Sequence, residues 1–255
     1  MKKALGFTLV LALVLMFSAA AFAAPAEEVI SIKGGTVTVN VVDDFSAHSA
    51  DYSNGEWWTF KFEDGKLKLE ILKGIALVPA DGSEKTSFDD ASKALWSSAK
   101  YVGYQVKNNG EEVSLALLSQ MGESNANIND ANAELPIVLL SKKSGKVNAE
   151  ETKVHDPWNG DRGYGAKIPA NFDGWVFFPI ERMNGAGTPF EDIQFDVEGP
   201  EGASLTVDNM ALAENLDVTP SGSDEPTTTA DVSTIAFAVV SVLGCGALVV
   251  RRKRS

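Results

Sequence analysis

A chain of 255 residues with 22 basic and 35 acidic side chains carries a formal charge of −13 at pH 7, which disfavours nucleic acid and anionic lipid headgroups as partners. Its one cysteine is Cys245, so no internal disulfide can form and the fold must rest on its core or on a metal.

At the N-terminus, Lys2 and Lys3 precede an apolar stretch from Ala4 to Phe17 and the A-x-A site Ala21-Phe22-Ala23. This layout predicts a signal peptide over 1–23; a retained first transmembrane helix is the alternative. From 24 to 216 the chain reads as short strands separated by turns. Val29 to Val42 alternates around Gly34-Gly35. WWTFKF and LKLEIL flank Asp64-Gly65 and predict a hairpin. Trp57 and Trp58 are neighbours and point to opposite faces, so one of them is expected outside the core. Phe88 to Lys100 predicts a short helix or an irregular crossover. Tyr101–Lys107 and Val113–Leu118, joined through Asn108-Asn109-Gly110, predict a second hairpin.

Gly122 to Ala133 is a polar loop, and Leu135 to Leu140 leads into Ser144-Gly145-Lys146 and Val147. Val154 to Phe172, rich in Gly and Pro, reads as a loop. Gly174–Ile180, Ile193–Val197 and Ala203–Leu212 complete about nine or ten strands. Such spacing predicts an all-β, antiparallel two-sheet β-sandwich. Residues 217–231 are polar and Thr-rich and predict a disordered stalk. Val232 to Val250 then gives 19 residues, roughly 28 Å as a helix and close to the ~30 Å apolar core of a membrane. The cations at 251–254 orient this transmembrane helix with residues 251–255 cytoplasmic. The sandwich is thereby expected at the extracellular face of the plasma membrane. Lys2, Lys3 and the four tail cations lie outside the intervening segment, which leaves 16 basic against 35 acidic residues, a charge of about −19.

Glu225-Pro226-Thr227-Thr228-Thr229, the hydrophobic run and the basic tail together resemble the sortase sorting signal of Gram-positive surface proteins. Pro226 and Thr228 match, whereas the leading Leu or Asn and the Gly after the cleaved Thr are missing. The resemblance implies a degenerate signal serving as a membrane anchor, with wall attachment as the alternative. Within the sandwich, Asp43-Asp44-Phe45, Gly174-Trp175-Val176-Phe177-Phe178-Pro179-Ile180 and Leu205-Thr206-Val207-Asp208-Asn209-Met210 occur in that order. They resemble the jelly-roll, galactose-binding-like domains of bacterial carbohydrate-binding modules. That resemblance implies a two-sheet jelly roll that binds glycan without changing it. It also implies a structural calcium held by Asp44 and Asp208, which would need further oxygens to reach six to eight ligands. A closed turn at Asp208-Asn209 and a strand-end cap at Asp44 are the alternative.

Other motifs carry less. Asn125-Ala126-Asn127-Ile128-Asn129 alternates like a calcium loop, but Asp130 stands where such a loop needs glycine. Ser97-Ser98-Ala99-Lys100 is an S-x-x-K without its partner motifs, and His48 and His155 accompany no G-x-S-x-G. The chain is therefore expected not to be an enzyme. The ligand-binding expectation falls on Trp158, Asn159, Arg162 and Tyr164, where stacking planes, donors and acceptors occur together. A surface-anchored carbohydrate-binding protein with a monomeric ectodomain is the resulting expectation; a structural or adhesive sandwich that contacts another protein is the alternative.

Overall fold

The computed structural model describes residues 25–221 except 50, 54–55, 57, 74, 78–83, 86–87, 119, 122–123, 126, 130–133, 157–159, 184–188 and 190–191. The predicted signal peptide, transmembrane helix and basic tail lie outside the described residues, as does Trp57. Among the described residues no helix is long and apolar enough to cross a membrane.

Strands β1 (Ala26–Ile32), β2 (Gly35–Asp43), β3 (Asp51–Ser53), β4 (Trp58–Glu63), β5 (Lys66–Ile71), β6 (Ile75–Leu77) and β7 (Glu84–Lys85) precede helix α1 (Asp90–Trp96). Then come β8 (Tyr101–Asn108), β9 (Val113–Leu117), β10 (Gln120–Met121), β11 (Ser124–Asn125), β12 (Val138–Ser141), β13 (Gly145–Asn148), β14 (Glu151–Asp156) and β15 (Gly160–Ile168). The chain continues with β16 (Asp173–Pro179), a 3-10 turn at Ile180–Arg182, β17 (Asp192–Ile193), β18 (Phe195–Glu198), β19 (Ser204–Ala213) and β20 (Thr219–Pro220). Two antiparallel sheets face each other. The large one runs β13-β12-β16-β8-β19-β5-β4-β3, with β2 and its neighbours β1 and β20 branching from β19; the small one runs β14-β15-β9-β18-β6.

The β4–β5 hairpin forms as its D-G turn predicts. Asp64 (φ 54°) and Gly65 (φ 70°) both adopt the left-handed conformation that a two-residue turn of this twist requires. The helix expected between Phe88 and Lys100 starts where the Asp89 carboxylate accepts the Ser92 N–H at 2.7 Å. The second predicted hairpin is not one: β8 pairs with β16 and β19 in the large sheet, while β9 joins the small sheet. The reason is Asn108, 1 % exposed. Its amide donates to Glu111 O (2.6 Å) and Pro169 O (3.0 Å), and its oxygen accepts the Gly110 N–H (3.0 Å). These bonds turn the chain across the gap between sheets instead of back along one.

The segment predicted as a loop from Val154 to Phe172 is also largely extended. β14 and β15 form a hairpin in the small sheet, with a register shift between Lys153 and His155. Part of the expected stalk belongs to the folded unit, which runs to Ser221: Thr219 and Pro220 pair with Thr36 and Gly35, and Leu216 is buried.

The main core lies between the sheets, where Phe60, Tyr104, Val106 and Val207 of the large sheet meet Leu115, Leu117, Phe195 and Val197 of the small one. A second apolar cluster covers part of the opposite, outer face. There the large sheet curls until Lys33 N–H reaches Ser141 O at 3.3 Å, and Ile30, Val37, Val39, Trp175, Phe177 and Ala211 pack together.

A clamp joins the two sheets at one end. Arg182, its side chain 3 % exposed, grips both oxygens of Glu151 at 2.7 and 2.8 Å and also donates to Leu135 O. The Arg182 guanidinium holds the Glu151 carboxyl below its usual range, against the opposing effect of burial. A depressed carboxyl pKa adds stability that is present above the unfolded value near 4.5 and disappears as pH falls through the folded value. Glu151→Ala should therefore cost about 3 kcal/mol at pH 7. The gap between wild type and variant should close as urea melts are taken down from pH 6 to pH 3; a gap independent of pH would show that the pair does not titrate with folding.

Candidate functional site

Alternation along the strands sends one set of side chains into the main core and the other onto the outer face. Strand register places the outward set in rows. Lys61 lies opposite Lys68, Lys68 opposite Thr206, Thr206 opposite Lys107, and Lys107 opposite Asp173. On one side of this row, Thr59 faces Glu70 and Glu70 faces Ser204. On the other, Glu63 faces Lys66, Asp208 faces Gln105, and Gln105 faces Trp175.

The rows form the floor of a groove made of three clefts of about 650, 370 and 200 Å³. Lys68, Asn109 and Thr206 line both the first and the second cleft, and Gln105 and Asp173 line both the second and the third. From β4 to β16 the floor crosses five strands, roughly 19 Å at the usual strand spacing.

The groove is polar and carries both signs of charge. Glu63 pairs with Lys68 and lies 3.7 Å from Lys61. The hydrogen bond from Lys68 lowers the Glu63 pKa, and the same contact raises that of Lys68. Lys66 pairs with Asp208. The Asn209 amide donates to the Gln105 side-chain oxygen at 2.9 Å, which fixes an acceptor and a donor in the floor. Trp175 closes one end, but its ring is 3 % exposed and stacks on Phe177 at 5.7 Å.

Of the site residues expected from the sequence, Asp208 lines this groove. Trp158 and Asn159 lie outside the described residues. Arg162 and Tyr164 belong to β15, in the small sheet. Tyr164 is half-buried against the main core, its N–H bonded to Ile128 O at 3.0 Å and Lys153 Nζ 5.5 Å from its ring. Trp58 is in the core; the expectation that one of the two adjacent tryptophans lies outside it falls on Trp57, outside the described residues.

Asp44 and Asp208 are each held by protein donors. Asp44 accepts the Ser46 hydroxyl at 2.6 Å and the Ser46 N–H at 3.0 Å, and these bonds lower its pKa. Asp208 takes Lys66 on one oxygen and the Asn209 N–H, at 3.0 Å, on the other. Among the described residues no group of three His, Cys, Asp or Glu side chains is placed to hold a metal. This donor set fits calcium poorly, because a cation would have to displace Lys66.

The remaining motifs have structural roles. The Ser97 and Ser98 hydroxyls donate to Ala94 O and Leu95 O at the end of α1. Ile128 is fully buried and bridges Tyr164 and Met183, which leaves its loop tied to the sandwich. His48 bonds Asp43 at 2.9 Å and stacks on Phe62. The groove residues Lys61, Lys68, Thr206 and Lys107 were not singled out from the sequence; their signal was the outward half of each alternating strand. No family model, curated protein or solved structure matches the chain.

Chelator should leave the melting midpoint of the full-length protein unchanged, and Asp208→Ala should cost under about 1 kcal/mol, as for an exposed ion pair. A midpoint that falls with chelator and rises with added calcium would put calcium back at Asp208.

Proposed function

We propose that the protein recognises a carbohydrate without altering it, in the groove across the outer face of the large sheet. The observation that carries this reading is the continuity of the three clefts over five strands, floored by mixed donors and acceptors. Sugar hydroxyls both donate and accept, and this floor offers ammonium, amide and hydroxyl donors beside the carboxylates of Glu70, Asp173 and Asp208. Because Trp175 is packed away, recognition rests on hydrogen bonds rather than on ring stacking. The likeness of the sequence to jelly-roll carbohydrate-binding modules supports the same reading. The export signal and hydrophobic tail read from the sequence support a place at the extracellular face of the plasma membrane.

A screen of the full-length protein against a glycan panel tests it. In the ligand found, Asn109→Ala and Thr206→Ala should each weaken binding about fivefold, the equivalent of one ~1 kcal/mol hydrogen bond. Both variants should keep their stability to within ~0.5 kcal/mol. Binding that ignores both substitutions would move the site elsewhere.

A second reading, contact with another protein, is favoured by one observation. Among the described residues β1 pairs only with β2, and its Val29 is 56 % exposed. An open strand edge is a template for another chain. Under that reading, Val29→Lys should abolish self-association seen in sedimentation, whereas the groove variants Asn109→Ala and Thr206→Ala should leave it intact.

A further inference from the structure

We infer that the ligand of the groove is an anionic polysaccharide; the inference rests on the groove being the glycan site and names the class of glycan. The middle row sets Lys61 directly opposite Lys68 and, one strand further on, Lys107 beyond Thr206. Like charges directly opposite each other destabilise a strand pair, so the Lys61–Lys68 pairing works against folding except through the Glu63 they share. Its own counter-charge is thin. Glu63 serves both Lys61 and Lys68, and Lys107 forms no ion pair among the described residues although Asp173 lies across from it. This happens in a chain whose formal charge is −13. The clefts also hold the carboxylates of Glu70 and Asp208, so the charge a bound anion meets is the local one of the row, three lysines against Glu63 and Asp173.

The spacing points to a polymer. The three lysines are rooted on β4, β5 and β8, about 5 and 10 Å apart along the row at the usual strand spacing, so they suit charges repeated along an extended chain. A small lone anion would call for groups that converge. Single-stranded nucleic acid also repeats charge, but it binds through exposed aromatic platforms, and among the described residues the one aromatic lining these clefts is buried. At 0.1 M salt the screening length is about 10 Å, which mutes the distant acidic surface while leaving the row effective at contact.

The full-length protein should be titrated at 0.1 M salt with polygalacturonate, with dextran sulfate and with neutral dextran. The first two tell carboxylate from sulfate, and at least one of them should bind more than ~10-fold tighter than dextran. Lys107→Gln should weaken that binding about fivefold and Lys61→Gln/Lys107→Gln by more than ~10-fold. Lys93→Gln, on α1 away from the groove, should change nothing. Dextran binding as tightly as the charged polymers, with no effect of the groove lysines, overturns the inference and leaves glycan recognition standing. Equal losses in Lys93→Gln and the groove variants would mean unspecific attraction and also overturn it. Absence of binding to these polymers and to every glycan of the panel would remove both readings.

Discussion

A strand edge can hydrogen-bond only one neighbour at each residue, and β19 has two on the same side. Ser204 to Val207 pair with β5, and Met210 to Leu212 pair with the end of β2. The changeover falls at Asp208-Asn209, where the register slips against β8 and Asn209 takes a positive φ of 22°. One inserted residue reverses the alternation that follows. Leu205 and Val207 face the main core before the bulge, and Met210 and Leu212 face it afterwards. Ala211 and Ala213 thereby reach the second, outer cluster. The fork is filled by the chain leaving β2. Phe45, fully buried at a positive φ of 58°, meets Phe62 edge-on at 5.5 Å, and His48 stacks on the same ring while bonding Asp43. Without this wedge, the β4–β5 hairpin and the β1–β2 hairpin would leave an open seam between them.

Much of this architecture was legible in the residues. Alternation in β2, β4, β5 and β19 marked strands, and Asp64-Gly65 named its own turn. What alternation could not show is which sheet a strand joins. Asn108 looked like a turn residue, and it is one, but the bonds that decide its turn go to Glu111, Ile168 and Pro169. Two of those partners are some sixty positions away, beyond the reach of any local pattern. Val154 to Phe172 misled for the opposite reason. Its glycines suggested a loop, yet Gly165 sits in a strand so close to Leu115 that a Cβ there would be 2.7 Å from that carbonyl oxygen. The groove was hidden because its residues are individually ordinary. Lysine and threonine at outward positions of strands are what any solvated face shows; only register brings Lys61, Lys68, Thr206 and Lys107 into one line.

The same outer face is polar at one end and apolar at the other, and β8 shows how the switch is made. Gln105 and Lys107 face the groove, whereas Tyr101 joins the second cluster and Gly103 leaves room for it. A Cβ at Gly103 would lie 2.3 Å from the Phe177 ring, which crosses the strand at that point. Small residues at Gly103, Ala211 and Ala213 thus let large rings from β16 lie flat on the sheet. The curl of β1 and β2 covers those rings and keeps apolar surface from water at no cost to the main core. The groove that starts at β4 therefore ends in a wall at Trp175, where polar floor gives way to packed rings. The apolar end of the groove depends on the bulge in β19. Shift its parity by one residue and Met210 would rise onto the outer face while Ala211 turned inward, leaving the main core underfilled and the groove without its end.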